Sequence, residues 1–593
     1  MQIRSLILFL LVAASLTASG SVEFNRDVRP ILSDKCFGCH GPDSGHRKAG
    51  LRLDQRDAAL KATKTGDVPI TPGKPELSQI ITRVLSADKD EIMPPPEAKM
   101  SPLSEKEIET LKQWIKDGAE YQPLWSFIPP TPNWPAQRIL SDTIDSLVRA
   151  KLKARNLIPR PEATRETLLR RISLDLTGLP PSSDEVRSFL TDPSPDAYER
   201  TVDRLLKSPA FGEKWASDWL DISRYADSYG FQVDRDRNVW QWRDWVVNAL
   251  NRNLPFNDFV TWQLAGDLLK NPTDEQLLAT TFSRLHQQEA EGGSVEEEYR
   301  VEYISDRVQT FATAFLGLTF ECAKCHDHKF DPISQREFYQ MFAFFDDIDE
   351  AGLYSFYSSD APTPSIRLLT ADAKIKLQEL DGAIKRNEST VLEQSAKIDE
   401  SFSVWLQQRP PHLSIADEVG RFQIGSLEDK KLTNRIDPSK PASLGGENKP
   451  VNGRTHSSVA VKLNGDDELT LPVGNFDRSD PFTISLWIHP PDITERAVIL
   501  HRSKAWTDSA SRGFELLLEN GFLKWSLIRF WPGDAASIRS AIPVQPGQWT
   551  HVSVTSDGSG KATGLQIFID GSLSPVAVIK DNLSRDINPS KDN

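Results

Sequence analysis

Residues 321–332 read ECAKCHDHKFDP, and within them residues 322–326 form a C-x-x-C-H motif. The same spacing occurs earlier in the chain, where residues 36–40 read CFGCH. Two thiols at this spacing can add to the two vinyl groups of one haem, and the adjacent histidine can ligate its iron. The repeated pattern therefore predicts c-type haem attachment at both places.

Two haem c groups are expected, because the motifs account for all four cysteines of the chain. The predicted attachment residues are Cys36, Cys39, Cys322 and Cys325. The predicted iron ligands are His40 for the first haem and His326 for the second. Two other interpretations stay open: each pair can form a redox disulfide, and both pairs together can bind one structural zinc ion. Neither of these requires a histidine directly after the second cysteine.

A methionine in a Pro-rich loop is the predicted sixth ligand of the first haem. Met93 lies in the sequence EIMPP, about ten residues before a helical pattern that begins with a capping box of Ser104 and Glu107. A cytochrome c places its distal thioether in such a loop, which raises the haem potential. Met100 and His46 are the competing ligands.

The second haem has no comparable methionine loop after its motif. His328 is two residues beyond His326 and is expected to form a local hydrogen bond. Met341 lies in a helical pattern, where a methionine more often packs in a core. His286 precedes the helix that leads to the motif, so we predict His286 as the second iron ligand. An open or differently ligated iron is the alternative.

Composition limits the partners and the number of domains. The chain has 593 residues, too many for one hydrophobic core. Its formal net charge is −14, which disfavours nucleic acid as a partner. A redox partner protein or a glycan is compatible with this charge.

The amino terminus has the features of an export signal. An apolar run at residues 5–16 follows Arg4 and precedes small residues at 18–20. No later stretch approaches the length of a membrane span. We expect a periplasmic, extracellular or cell-surface protein without a membrane span, a location that fits c-type haem attachment.

Helical periodicity dominates up to about residue 410, and alternation with a period of two follows it. Residues 482–488, FTISLWI, show this alternation, which is typical of an antiparallel β-sandwich. The pattern stops soon after residue 571, so we expect a truncated sandwich. A calcium ion could bind there, although no compact acidic loop requires it.

These patterns predict an all-α cytochrome c-like domain, a mainly α second haem domain, a helical spacer and an antiparallel β-sandwich of the jelly-roll, laminin G-like type. The expected segments are a signal peptide (1–20), a cytochrome c-like domain (21–120), a Pro-rich linker (121–140), a second cytochrome-like helical domain (141–350), a helical spacer (368–410) and a laminin G or concanavalin A-like sandwich (413–593).

Longer strings relate the chain to a known family. Residues 173–181 read SLDLTGLPP, residues 219–227 read WLDISRYAD and residues 325–333 read CHDHKFDPI. With these strings and both motifs, the chain resembles the large secreted cytochrome-like proteins of planctomycete bacteria. Residues 548–555, QWTHVSVT, and 565–571, LQIFIDG, resemble a laminin G or concanavalin A-like domain. The resemblance implies electron transfer without naming a reaction.

The leading hypothesis is an exported dihaem c-type cytochrome with a β-sandwich that binds a glycan or a protein partner. One alternative is a secreted enzyme that acts on polysaccharide, or a haem redox enzyme. No pair of carboxylates in the sequence stands out as a glycosidase pair. Another alternative is a surface interaction protein without haem, whose C-x-x-C pairs form disulfides. An electron carrier is favoured over a hydrolase.

Overall fold

The computed structural model describes residues 21–130, 140–354, 360–408, 415–428, 430–455, 458–465, 467–503 and 512–591. The predicted export signal, residues 1–20, lies outside these ranges. Contacts divide the chain into two compact units. The first unit comprises Met1–Ser223, Leu250–Asn253 and Ile304–Asp347. The second comprises Arg224–Ala249, Leu254–Tyr303 and Ile348–Asn593.

Helices occupy the described chain up to residue 408. The α-helices are α1 (Arg29–Lys35), α2 (Phe37–His40), α3 (Arg56–Ala59), α4 (Gln79–Leu85), α5 (Glu105–Lys116), α6 (Leu140–Ala154), α7 (Arg165–Thr177), α8 (Ser183–Thr191), α9 (Ala197–Leu206), α10 (Pro209–Ile222), α11 (Trp240–Asn251), α12 (Phe256–Ala265), α13 (Asp274–Ala279), α14 (Glu296–Phe311), α15 (Gln335–Asp346) and α16 (Ala371–Gln408). Short π turns lie at Phe24–Val28 and Ala312–Leu316.

Local sequence signals define the ends of several helices. Ser104 caps α5: its hydroxyl accepts a hydrogen bond from the Glu107 amide, and the Glu107 carboxylate accepts one from the Ser104 amide. This is the predicted capping box. Helix α7 ends at Gly178, whose φ of 70° lies in the left-handed region that glycine adopts without a steric penalty. The predicted helix start at Ser104 is confirmed.

The first unit contains an apolar core that surrounds the first C-x-x-C-H motif. Its buried members include Phe24, Val28, Leu32, Phe37, Leu53, Ile70, Leu111, Trp114 and Ile115. The Phe24 ring lies 4.4 Å from that of Tyr121, and the indole nitrogen of Trp114 donates to the Glu120 carbonyl at 3.0 Å. Phe37 belongs to the motif itself, so this core determines the position of the motif.

Antiparallel strands follow from residue 422. They are β1 (Phe422–Glu428), β2 (Lys431–Asn434), β3 (Ala442–Leu444), β4 (Lys449–Asn452), β5 (Val459–Lys462), β6 (Leu469–Thr470), β7 (Pro481–Ile488), β8 (Arg496–Ser503), β9 (Gly513–Glu519), β10 (Phe522–Phe530), β11 (Asp534–Ser540), β12 (Thr550–Asp557), β13 (Leu565–Ile569), β14 (Ser572–Leu573) and β15 (Val576–Asp581). The predicted fold class, helices followed by an antiparallel β-sandwich, is confirmed.

Two sheets enclose the sandwich core. One has the strand order β15-β11-β10-β9-β8 and the other β14-β13-β12-β7. Leu516, Trp525 and Ile538 from the first sheet pack with Val554 and Ile567 from the second, and all five are fully buried. Two smaller sheets have the orders β1-β2-β3-β6 and β4-β5.

The outer face of the five-stranded sheet is also buried. Ser526 and Ser537 are inaccessible there, and their hydroxyls lie 2.8 Å apart. Tyr354, from the segment between α15 and α16, packs against Phe530 with ring centroids 5.9 Å apart. Asp360 accepts hydrogen bonds from the Arg529 guanidinium at 2.6 and 3.0 Å. Packing and a charged hydrogen-bonded pair therefore join this segment to the sheet within the second unit.

Glu515 on β9 is a buried carboxyl group on this outer face. Burial raises its pKa from 4.5 to about 7, although the charges of Lys524 and Arg496 oppose the shift. Because the folded-state pKa lies above that of an exposed glutamate, unfolding releases a proton between these values. The contribution of Glu515 to stability therefore falls as the pH rises from about 4.5 to about 7 and is constant above that range.

We expect Glu515→Gln to stabilise the protein by on the order of 3 kcal/mol at pH 8, because glutamine has no charge to bury. The gain should shrink as the pH falls towards 4.5, because below that pH the carboxyl is mostly protonated in both states. Thermal unfolding followed by circular dichroism between pH 4.5 and 8 measures this difference. Glu495→Gln, at an exposed position, is the control. An equal effect of Glu515→Gln at all pH values would contradict the prediction.

Candidate functional site

Helical geometry places the first motif on one face. Helix α1 ends at Lys35 and Cys36 is its C-cap, and the His40 amide donates to the Cys36 carbonyl at 2.8 Å. Residues three and four positions apart lie on the same side of such a turn, so Cys36, Cys39 and His40 share a face. Phe37 is only 1% exposed and anchors the other side in the core. The motif is thus presented as one preformed surface.

The hydrogen bond of His40 defines its tautomer. Its Nδ1 lies 3.2 Å from the carbonyl oxygen of Lys48. A carbonyl can only accept, so Nδ1 carries the proton and Nε2 keeps its lone pair. Burial also lowers the pKa of His40, which favours the neutral ring. Metal-ligating histidines commonly donate their other nitrogen in this way, so His40 fits the role of an iron ligand.

No disulfide joins the four cysteines of the two motifs. Burial raises the pKa of Cys36 to about 12, and its side chain lies at the edge of the apolar core. Cys322 and Cys325 are exposed. The four side chains therefore differ in environment, with the second pair more accessible than Cys36.

The second motif forms a tight turn. A 3₁₀ turn spans Glu321–Lys324, and the His326 amide donates to the Cys322 carbonyl at 3.3 Å. Ala323 is fully buried and anchors this turn, as Phe37 anchors the first motif. The Gln335 side chain donates to the Cys325 carbonyl at 2.9 Å. These bonds connect the motif to the start of α15.

Hydrogen bonds separate the roles of the two histidines in this segment. His326 Nδ1 lies 2.9 Å from the Asp327 carbonyl, so Nδ1 is the donor and Nε2 has a free lone pair. His328 Nδ1 instead accepts from the Asp331 amide at 2.9 Å, so in the neutral ring Nε2 carries the proton. The expected local hydrogen bond of His328 is confirmed. Only His326 has the tautomer that an Nε2 iron ligand needs.

The candidate sixth ligands lie in different settings. Met93 is half-buried in its loop, and its amide donates to the Arg83 carbonyl at 3.1 Å. The terminal methyl of Met100 lies beside Gly38 of the first motif: a β-carbon added to Gly38 would be 3.9 Å from it. His46 donates from Nδ1 to Asp43 at 2.6 Å, and its side chain is largely exposed. Ligation of the first iron by Met93 stays a prediction.

His286 belongs to the second unit and is almost completely buried. Its Nδ1 donates to the Gln287 carbonyl at 2.7 Å, and its Nε2 lies 3.5 Å from a Glu350 oxygen. Its ring stacks on Tyr303 at a centroid distance of 4.4 Å. His286 thus already has partners on both ring nitrogens, and its role as a ligand of the second iron stays a prediction.

The two motif loops meet within the first unit. The guanidinium of Arg29 donates to the Phe330 carbonyl at 3.3 Å, across 301 residues of sequence. A Cβ on Gly38 would lie 3.8 Å from Cε of Lys329. Arg29 and Lys329 are functional candidates that the sequence did not reveal, because neither is a cysteine or histidine of a C-x-x-C-H motif and no local pattern relates two such distant segments.

In the described ranges, no group of three or more His, Cys, Asp or Glu side chains is placed to bind a metal ion. A c-type haem needs no such group, because the porphyrin supplies four ligands to the iron and the chain supplies the axial ones. No helix in these ranges combines the length and hydropathy that crossing a membrane requires.

Three family profiles match separate parts of the chain. A planctomycete cytochrome C profile matches residues 36–97 and includes the first motif. A profile described as a protein of unknown function, DUF1549, matches residues 143–350 and includes the second. A profile of the concanavalin A-like lectin/glucanase superfamily matches residues 463–590. The chain combines these three modules. The resemblance to planctomycete cytochrome-like proteins is confirmed at this level.

Solved structures give only partial matches. A protein from Bacteroides ovatus described as carbohydrate-binding has 18% identity over 20% of this chain and 31% of its own, with a TM-score of 0.15. The binding domain of botulinum neurotoxin DC, in complex with SialylT, has 13% identity over 29% of this chain and 42% of its own, with a TM-score of 0.21. This chain therefore spans less than half of either structure. No curated protein matches the chain.

We expect His326→Ala to remove the motif's own histidine ligand from the second iron and His328→Ala to preserve it, because of these two histidines only His326 offers Nε2. Both changes are made in a variant with serine at Cys36 and Cys39, so that the spectrum reports the second haem alone. Visible absorption spectra in the ferric and ferrous states measure ligation. A spectrum that changes in His328→Ala and not in His326→Ala would contradict the assignment.

Proposed function

We propose that this protein is an exported c-type cytochrome that holds one haem at each C-x-x-C-H motif and exchanges electrons with a redox partner protein. The observation that carries the proposal is that His40 and His326 have the same tautomer, with the proton on Nδ1. Each donates from Nδ1 to a main-chain carbonyl and leaves Nε2 available. A disulfide or a site made of thiols alone has no need for this arrangement.

Haem bound at these sites would supply a one-electron redox centre. Cys36 and Cys39 would hold it at the first motif, and the buried Phe37 between them would fix their orientation. His40 would approach the iron in a predetermined orientation, because its hydrogen bond to Lys48 restrains the ring. Met93 and His286 are proposed as the sixth ligands of the first and second iron. A periplasmic or cell-surface location is part of this proposal.

The concanavalin A-like module is proposed to bind a glycan. Trp487 on β7 is 44% exposed and lies opposite His551 on β12. The Ser485 hydroxyl lies 2.8 Å from His551 Nε2 and 3.0 Å from the Ser553 hydroxyl. An exposed aromatic ring beside a row of hydroxyls combines apolar contact area with hydrogen-bonding groups, both of which a sugar ring can use.

We expect Trp487→Ala to weaken glycan binding, because it removes the aromatic contact area. Affinity electrophoresis of the full chain in gels that contain neutral or acidic polysaccharides measures binding as retarded migration. Trp215→Ala, at a similarly exposed tryptophan on α10, is the control. Equal retardation of both variants would contradict the role of this face. Migration unaffected by every polysaccharide would contradict glycan binding and leave the cytochrome proposal intact.

We expect two covalent haems per chain in protein exported from a host with c-type maturation machinery. The Cys36→Ser/Cys39→Ser and Cys322→Ser/Cys325→Ser variants should each retain one haem, because each motif binds its haem independently. Pyridine haemochrome spectra and intact mass count the haems. Four alkylatable thiols after reduction, with no haem, would contradict the proposal and favour an interaction protein.

A further inference from the structure

The contact between the two motif loops is direct and involves both packing and charge. Arg29, at the start of α1, donates to the Phe330 carbonyl at 3.3 Å. The side chain of Lys329 lies beside Gly38: a β-carbon added to Gly38 would be 3.8 Å from Cε of Lys329. Gly38 lies between Cys36 and Cys39. The second loop therefore contacts the first inside the segment that would hold the first haem.

Opposite charges complement each other across this contact. Arg29 interacts electrostatically with Asp331 of the second loop, and Arg52 with Asp327. Arg52 is itself held by Asp54, through hydrogen bonds of 2.7 and 2.6 Å. These interactions favour one relative position of the two loops, so the contact is a defined feature of the first unit.

We propose that the two motif loops form one two-haem unit in which Lys329 of the second loop raises the reduction potential of the first haem. The inference rests on the proposed function, since it requires haem at both motifs. Thioether bonds keep each haem next to its own loop, so loops in contact hold the two haems as neighbours. The charge on one haem then shifts the reduction potential of the other.

The effect of Lys329 follows from its charge. Reduction removes one positive charge from a haem, so a fixed positive charge nearby disfavours the ferric state relative to the ferrous state. The Lys329 side chain is exposed, its Cε lies beside Gly38 of the first motif, and its ammonium nitrogen is 5.0 Å from the centroid of the Phe330 ring. Lys329 is a tuning residue that acts through its electric field and has no role as an iron ligand.

Spectroelectrochemical titration of the haem-loaded protein tests this inference. We expect Lys329→Gln to lower the midpoint potential of the first haem, and Lys329→Arg to restore it because the charge returns. Lys116→Gln removes the same charge from the last turn of α5 and should leave the potential unchanged. Equal potentials in Lys329→Gln and Lys116→Gln would overturn the role of Lys329.

The coupling of the haems has a separate readout. We expect the wild-type protein to titrate in two steps, each with its own midpoint potential. The gap between these two potentials should differ from the gap between the potentials of the two single-haem cysteine variants. Potentials that are the same in the wild type and in the single-haem variants would overturn the two-haem unit. The haem content of each sample distinguishes the failures: two haems without coupling overturn this inference alone, whereas fewer than two overturn the proposed function as well.

Discussion

Each candidate haem site depends on one hydrogen bond, from histidine Nδ1 to a main-chain carbonyl. His40 makes it to Lys48 and His326 makes it to Asp327. This bond selects the tautomer, restrains the ring and leaves Nε2 as the available ligand atom. A buried residue inside each motif, Phe37 or Ala323, then fixes the turn that carries the thiols. The two sites thus reach the same chemical state with different surrounding structure.

Much of the fold follows from local patterns. The capping box at Ser104 and the glycine stop at Gly178 were predictable because each satisfies main-chain groups at a helix end. Strand β8 was not predictable in this way, because a bulge between Val498 and Leu500 breaks the alternation of its two faces. Strand β11 lacks alternation for another reason: Ala535 and Ala536 are both fully buried, since both faces of that sheet are covered. Alternation marks a strand only where one face meets water.

The candidate site was predictable only in part. The spacing of the motifs identifies the cysteines and histidines directly, because haem attachment needs these groups at fixed positions. The tautomer of His326 was not predictable, because it depends on which main-chain group the folded loop presents to Nδ1. The contact between Arg29 and Phe330 is a product of tertiary structure across 301 residues. Its consequence, a shared electrostatic environment for both motifs, is visible only in the folded first unit.

Anomalous diffraction at the iron absorption edge, from crystals of the haem-loaded protein, shows how many haems each chain holds and where. We expect two iron peaks per chain, one adjacent to Nε2 of His40 and the other adjacent to Nε2 of His326. Both peaks should lie beside the contact that Arg29 and Lys329 make between the loops. A chain that shows iron at one motif only, or at neither, would contradict the dihaem cytochrome proposed here.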